Sequence, residues 1–78
     1  MIRAMNRSIV CGSVTVAIKA KKALTNHGVK AHVERLSRAS EIYGCGYCIT
    51  VPSADLLRAL EILNKQFIRY KGVLEEDN

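Results

Sequence analysis

Two stretches with the hydrophobic spacing of helices, each flanked by short runs typical of strands, constrain the fold of this sequence most. In the first stretch, one helical face collects Val16, Ala17, Ala20, Ala23 and Leu24. Ser13 can cap this helix, and Gly28 suits the left-handed position that follows a helix end. The pattern therefore predicts a helix from about Ser13 to His27.

The second stretch follows Pro52 and has a longer apolar stripe. Its expected buried residues are Leu56, Ala59, Leu60, Leu63 and Phe67. Ser53 is the expected cap, and Asp55 places a carboxylate in the first turn, where the helix dipole favours negative charge. These signals predict a second amphipathic helix.

Four short runs are typical of strands. They are residues 8–11, which stop at Gly12; residues 29–34, which alternate between apolar and polar; residues 47–51, which end at Pro52; and residues 68–73. Residues 36–44 are mostly polar and show no sustained period. That segment predicts a long loop between the second and third strands.

The order β-α-β-β-α-β predicts an α+β fold. We expect a ferredoxin-like two-layer sandwich, with a four-stranded antiparallel sheet and both helices on one face. The 78 residues leave room for one core. We therefore expect a single domain over residues 1–78, with frayed ends at 1–7 and 75–78.

This topology brings distant parts of the chain to one edge of the molecule. The first strand ends there, and the first helix and the third strand begin there, so Cys11 and the helix start at Gly12 and Ser13 would meet the Cys45-Gly46 step. Free backbone N–H groups at a helix start stabilise a thiolate. Cys45 is therefore the candidate reactive residue.

The glycines around Cys45 have two interpretations. Gly44 and Gly46 carry no side chains that would shield the thiol, and Arg35 or Arg38 would add positive potential nearby. Alternatively, Cys45 is a small core residue and the glycines only serve a turn.

The Cys45-Gly46-Tyr47-Cys48 segment is also a CxxC motif. A structural zinc site needs four ligands, so Cys11 and a histidine, His27 or His32, would have to complete a thiolate metal-binding domain. A thioredoxin-type CxxC opens a helix, whereas a strand follows here. An odd number of cysteines argues against a disulfide framework.

The beginning of the chain imitates a secretory signal without matching one. The apolar residues 9–18 are interrupted by Gly12, Ser13 and Thr15, are followed by lysines, and are too few to span a bilayer. We expect a cytoplasmic protein without a membrane partner, in a compartment where thiols stay reduced. The net charge of +5 predicts attraction to acidic surfaces.

Residues 8–73 resemble a family of small bacterial selenium/sulfur carrier-like proteins. The features that carry the resemblance are a strand ending near Ser13, the Ala/Lys-rich residues 17–24, Gly28-Val29, a loop with Arg38 and Ser40, Gly44-Cys45-Gly46-Tyr47, and then a strand and a leucine-rich helix. The sequence departs from the family pattern at Cys48, where a small or aliphatic residue is usual, and in adding Cys11.

The resemblance implies a carrier rather than a complete enzyme. Cys45 would hold a persulfide or selenopersulfide, received from a donor such as a cysteine desulfurase-type enzyme and passed to an acceptor protein. Cys48 and Cys11 would be resolving thiols. The expected binding residues are Gly44, Gly46, Gly12, Ser13 and Arg38. Neither a cofactor nor a metal belongs to this hypothesis.

Two other classes of function stay open. A non-catalytic module would bind nucleic acid or a small ligand through Tyr47 and residues 69–71, but alternation places Tyr47 on the core face, so nucleic acid is not the expected ligand. A homodimer would pair edge strands and use Val14 and Ile18, which lie off the buried helix face. The sequence has no hydrolase elbow, phosphate loop or dinucleotide motif.

Overall fold

The computed structural model describes residues 6–74, and these residues contain four strands and three helices. In chain order the elements are β1 (Asn6–Val10), α1 (Val14–Asn26), β2 (His32–Arg35), α2 (Ser37–Tyr43), β3 (Tyr47–Pro52), a 3-10 turn (Ser53–Asp55), α3 (Leu56–Lys65) and β4 (Gly72–Leu74). The predicted α+β class is confirmed.

The four strands form one open antiparallel sheet in the order β2-β3-β1-β4. β1 pairs with β3 from Asn6 opposite Pro52 to Val10 opposite Cys48, and its other side pairs with β4. The predicted four-stranded antiparallel sheet is thus confirmed, and β1 and β3 are neighbours as expected. The ferredoxin-like assignment goes further than these pairings and stays a prediction.

Of the chain ends predicted to fray, the structure describes only residues 6 and 7, and the single domain stays a prediction. Asn6 and Arg7 belong to β1 and pair with β3. The Arg7 side chain also donates a hydrogen bond from Nε to the carbonyl of Leu74, at 3.2 Å. Residues 1–5 and 75–78 lie outside the described residues.

α1 has the cap and the end that the sequence predicts. The Ser13 hydroxyl accepts a hydrogen bond from the Val16 N–H at 3.2 Å, which satisfies one of the unpaired donors of the first turn. Gly28 follows the helix with φ 81°, a left-handed conformation that glycine adopts without strain. The residues that α1 buries are Ala17, Ala20 and Leu24. The two alanines are small, so the helix can lie close to the sheet.

Each face of the sheet has its own core. On β1, Ile9 contributes to a large cluster with the buried residues of α1 and α3, whereas its neighbour Val10 points the other way. The second, smaller cluster consists of Val10, Ala39, Cys48 and Leu74. α1 and α3 therefore contribute to one core and α2 to the other.

The predicted loop between the second and third strands is wrong, because residues Ser37–Tyr43 form the helix α2. This short helix has no side-chain hydrogen bond at its start, and its sequence shows no sustained apolar period. Its stability comes instead from tertiary packing, since Ala39 is fully buried against Val10 and Cys48. α2 therefore covers the sheet on the side of Val10 and Cys48, where the sequence predicted no helix.

Three elements begin later than predicted. α3 starts at Leu56 rather than directly after Ser53, because Ser53 opens the 3-10 turn. β2 begins at His32 rather than at residue 29, and β4 begins at Gly72 rather than at residue 68. The preceding apolar residues are buried, as Val29 and Ile68 show, so they carry the alternating pattern without belonging to the strands.

Phe67 is not part of the buried stripe of α3. The helix ends at Lys65, and Phe67 adopts φ 58° beyond it. This turn directs the ring outward, where it is 90% exposed. Ile62, which the predicted stripe omitted, is buried instead.

Candidate functional site at the Cys45 segment

Cys45 lies in the short connection between α2 and β3, which we call the Cys45 segment (residues 44–46). It is half-buried, whereas Cys11 and Cys48 are buried. All three are free thiols. Of the three cysteines, Cys45 is therefore the one that solvent and a partner can reach in this conformation.

Gly44 is required by the backbone conformation at the end of α2. Its φ is 78°, and its N–H donates a hydrogen bond to the carbonyl of Ser40 at 2.9 Å. A Cβ on Gly44 would meet no atom within 4 Å, so space is not the constraint. Glycine is favoured here because L-residues with side chains are strained at positive φ.

Gly46 is required by space. An ideal Cβ at this position would lie 3.1 Å from the carbonyl oxygen of Leu36 and 3.5 Å from Cβ of Ser40. The Gly46 carbonyl accepts a hydrogen bond from the Leu36 N–H at 2.7 Å, which holds the two segments together. Both glycines thus have structural reasons to flank Cys45, so their presence alone is no evidence of a reactive thiol.

The end of β1 lies beside the Cys45 segment. The Cys11 N–H donates a hydrogen bond to the carbonyl of Tyr47 at 2.9 Å, one residue beyond the β1–β3 pairing. Gly12 and Ser13 follow directly and begin α1. The structure therefore brings the end of β1, the start of α1 and the start of β3 to one edge, as the topology implied.

Cys11 and Cys48 lie on opposite faces of the sheet. Cys11 belongs to the large core cluster and Cys48 to the smaller one. Each thiol donates a hydrogen bond to the carbonyl two residues before it, at 3.7 Å: Cys11 to Ile9 and Cys48 to Gly46.

Burial raises the pKa of both core cysteines to about 11. For Cys11, negative charge on Cys48 and then on Cys45 adds to the increase, while a backbone hydrogen bond from Ile49 opposes it. For Cys48 the added charges are those of Cys45 and Glu34. At neutral pH both groups are protonated and are poor nucleophiles, because the thiolate is the attacking form.

The two candidate arginines have different positions. Arg35 is on β2, and its guanidinium carbon lies 5.6 Å from the centroid of the Tyr47 ring. Its Cγ would be 3.4 Å from a Cβ on Gly46, so its aliphatic stem runs along the Cys45 segment. Arg38 is exposed on α2, the helix that leads into the segment.

The described residues offer no clustered metal ligands. Among residues 6–74, no three His, Cys, Asp or Glu side chains are grouped closely enough to hold a metal ion. His27 lies just after α1, where its Nδ1 is hydrogen-bonded to the carbonyl of Ala23 at 2.8 Å. His32 is exposed on β2. The geometry gives no support to the thiolate metal-site alternative.

Other surfaces named by the sequence are placed as follows. Tyr47 is half-buried and packs against the large core, which is the core position that alternation predicted. Val14 and Ile18 are 40% and 47% exposed on α1. A homodimer through these residues stays a prediction.

Over residues 6–74, no helix combines the length and apolar character needed to cross a bilayer.

The fold and the Cys45 segment together define a small α+β domain with one accessible cysteine, placed between a helix C-terminus and a strand. Comparison with known families identifies the domain further. The model of the family described as "Putative Se/S carrier protein-like" matches residues 7–75, which is nearly the whole chain. The protein belongs to this family. No curated protein matches the chain, and no solved structure does.

Proposed function

We propose that this protein carries sulfur or selenium as a persulfide-type adduct on Cys45. The observation that carries the proposal is the contrast between the cysteines: Cys45 is half-buried, whereas Cys11 and Cys48 are buried thiols with raised pKa. Membership of the Se/S carrier-like family supports the same chemistry. The proposal places the protein in a reducing compartment such as the cytoplasm, where thiols stay free.

Loading would be a thiol–persulfide exchange. The Cys45 thiolate attacks the outer sulfur of a persulfide on the donor, the S–S bond of the donor breaks, and the donor cysteine leaves as a thiolate. One sulfur atom is transferred and no external oxidant is consumed. An acceptor nucleophile then attacks the outer sulfur on Cys45, and Cys45 leaves as the thiolate.

The resolving role of Cys48 and Cys11 forms a second part of the proposal. A Cys48 thiolate would attack the Cys45 sulfur, form a Cys45–Cys48 disulfide and release hydrosulfide. Because Cys48 is buried and protonated at neutral pH, this step requires local opening of α2. In the closed conformation, transfer to an acceptor is the favoured release.

The predicted binding residues form the surroundings of the adduct. Gly44 and Gly46 fix the conformation of the Cys45 segment, and Gly12 and Ser13 begin α1 at the same edge of the sheet. Arg38 is exposed on the helix before Cys45. In the proposal the donor and the acceptor contact this edge around Cys45, and the buried Gly46 acts only by holding the segment in place.

Anaerobic loading tests the proposal. The protein is incubated with a cysteine desulfurase and cysteine, alkylated, and analysed by intact-mass and peptide mass spectrometry. We compare wild type, Cys45→Ser, and the matched double variant Cys11→Ala/Cys48→Ala, which retains Cys45. Selenocysteine as the substrate of a suitable lyase distinguishes selenium from sulfur.

Wild type and the double variant should gain one sulfur atom on Cys45, and Cys45→Ser should gain none. An adduct that persists in Cys45→Ser, or that maps to Cys11 or Cys48, would overturn the assignment. Three unmodified thiols in every variant would identify Cys45 as a structural residue and favour a binding or oligomerisation module.

A further inference from the structure

α1 and α3 end with the same backbone motif but with different residues in its left-handed position. After α1 the N–H groups of Gly28 and Val29 donate to Thr25 and Leu24 at 3.1 and 2.9 Å, and after α3 those of Phe67 and Ile68 donate to Asn64 and Leu63 at 3.2 and 2.9 Å. Both are Schellman-type ends. Gly28 occupies the left-handed position in the first, with φ 81°, and Phe67 occupies it in the second, with φ 58°.

Phe67 is unfavourable at this position, and burial of its ring does not compensate for the cost. A side chain at positive φ costs about 1 kcal/mol relative to glycine, because Cβ crowds the backbone. In addition, the ring is 90% exposed, so burial in the domain does not offset that cost. Leu57 is also exposed, at 81%, but it sits in an ordinary α-helix. The backbone strain distinguishes Phe67 from an ordinary exposed apolar side chain and points to binding.

Phe67 lies at the end of the sheet that carries Cys45. It is in the connection from α3 to β4, and that connection returns to the sheet where the Lys71 N–H donates to the carbonyl of Val10 at 2.7 Å. On the other side of β1, Cys11 bonds to Tyr47 just after the Cys45 segment. The two connections therefore flank the end of β1.

The stretch of chain that contains Phe67 is positively charged. Residues 62–74 contain no Asp or Glu, and the exposed cations of this stretch are Lys65, Arg69 and Lys71. An open depression beside the ring is lined by Asn64, Ile68, Arg69 and Tyr70. The complementary surface is an apolar pocket bordered by carboxylates.

We propose that Phe67 is the anchor of a docking surface for the protein that delivers sulfur to Cys45, and that this partner presents an apolar pocket with an acidic rim. The inference rests on the proposed carrier function, since it names the partner surface for the same cysteine. Docking at Phe67 brings the partner to the end of the sheet where Cys45 lies.

Substitution to glycine separates docking from folding. Phe67→Gly removes the ring and also relieves the positive φ, so the free energy of unfolding should stay equal or rise. Leu57→Ala is the matched control, because it removes another exposed apolar side chain. Loading of Cys45 by the desulfurase should slow at least tenfold in Phe67→Gly and stay within twofold in Leu57→Ala.

A second experiment uses a small-molecule sulfur donor in place of the desulfurase. Inorganic polysulfide transfers sulfur to a thiolate without a docking surface, so it should load Cys45 equally in wild type and Phe67→Gly. Equal desulfurase rates in these two proteins would overturn the inference. If Phe67→Gly slowed loading by polysulfide as much as loading by the desulfurase, the inference would also be overturned. The substitution would then act on Cys45 itself and not on docking.

Binding without chemistry distinguishes this inference from the proposed function. In the Cys45→Ser background, the dissociation constant for the desulfurase should rise at least tenfold on Phe67→Gly. Absence of measurable binding, or an unchanged constant, would overturn the docking surface even if Cys45 is loaded. Conversely, Phe67-dependent binding with no sulfur on Cys45 would overturn the carrier function and leave the docking surface standing.

Discussion

At the scale of single residues, the three cysteines differ in environment although they lie at the same end of the sheet. Cys45 was singled out in the sequence by its flanking glycines, and the structure gives both glycines separate structural reasons. What the sequence cannot provide is the burial of Cys11 and Cys48, because burial depends on which strand face each occupies and on α2. Burial of the other two cysteines therefore distinguishes Cys45 more clearly than its flanking glycines do, and its reactivity stays a prediction.

The free energy of unfolding at high pH should depend on the ionisation of Cys11 and Cys48. Their folded pKa is about 11 and the ordinary value is 9.0, so between these values the unfolded chain loses protons that the folded chain retains. The free energy of unfolding should be insensitive to these thiols below about pH 9 and fall by at least about 1 kcal/mol towards pH 11. Urea denaturation across this range measures the decrease.

The control is Cys11→Ala/Cys48→Ala, in which Cys45, the tyrosines and the lysines still titrate. Its stability should fall less steeply over the same pH range. Parallel curves for the two proteins would show that ionisation of Cys11 and Cys48 does not oppose folding.

At the scale of elements, the sequence predicts a helix well where it contains a cap, an apolar face and a terminal glycine. α1 has a cap, an alanine face and a terminal glycine, and the sequence located it within a residue or two. α2 lacks a side-chain cap, so its sequence predicts a loop, although Gly44 at its end is a typical signal of a helix terminus. Helical spacing assigns Phe67 to the buried stripe of the second predicted helix. That spacing predicts burial only while the helix continues, and α3 ends at Lys65.

The loss of stability on replacing each glycine by alanine should follow the local geometry of that glycine. Gly46→Ala places a methyl group 3.1 Å from a backbone oxygen, so we expect a loss of about 1–3 kcal/mol. Gly44→Ala has free space but keeps φ 78°, so we expect a loss of about 1 kcal/mol. Gly12→Ala is the control, because its nearest contact is Cε of Lys71 at 3.8 Å. Denaturant melts of the three variants test this order.

A Gly46→Ala variant as stable as Gly12→Ala would contradict the close packing of the Cys45 segment on residue Leu36. The loading assay adds a second readout, because displacement of the segment should also change the accessibility of Cys45.

At the scale of the whole molecule, charge predicts how partners meet this protein. The net charge is +5, and the stretch around Phe67 contributes cations without carboxylates. Transfer from an acidic donor should therefore slow about tenfold when salt is raised from low to about 0.5 M, because screening weakens electrostatic steering. Stopped-time alkylation measures the rate, and loading by polysulfide should change less than about threefold. Equal salt dependence of the two donors would argue against steering.

α2 joins parts of the molecule that are far apart in the chain. It lies between β2 and β3 in sequence, yet it packs over β3 and β1, and its Tyr43 ring reaches Gly72 of β4 so closely that a Cβ there would lie 2.6 Å from Cζ of the ring. α2 thus contacts three strands of the sheet, β3, β1 and β4. Because Tyr43 directly precedes Gly44, its contact with Gly72 links β4 to the Cys45 segment without a connection through β1 or β3.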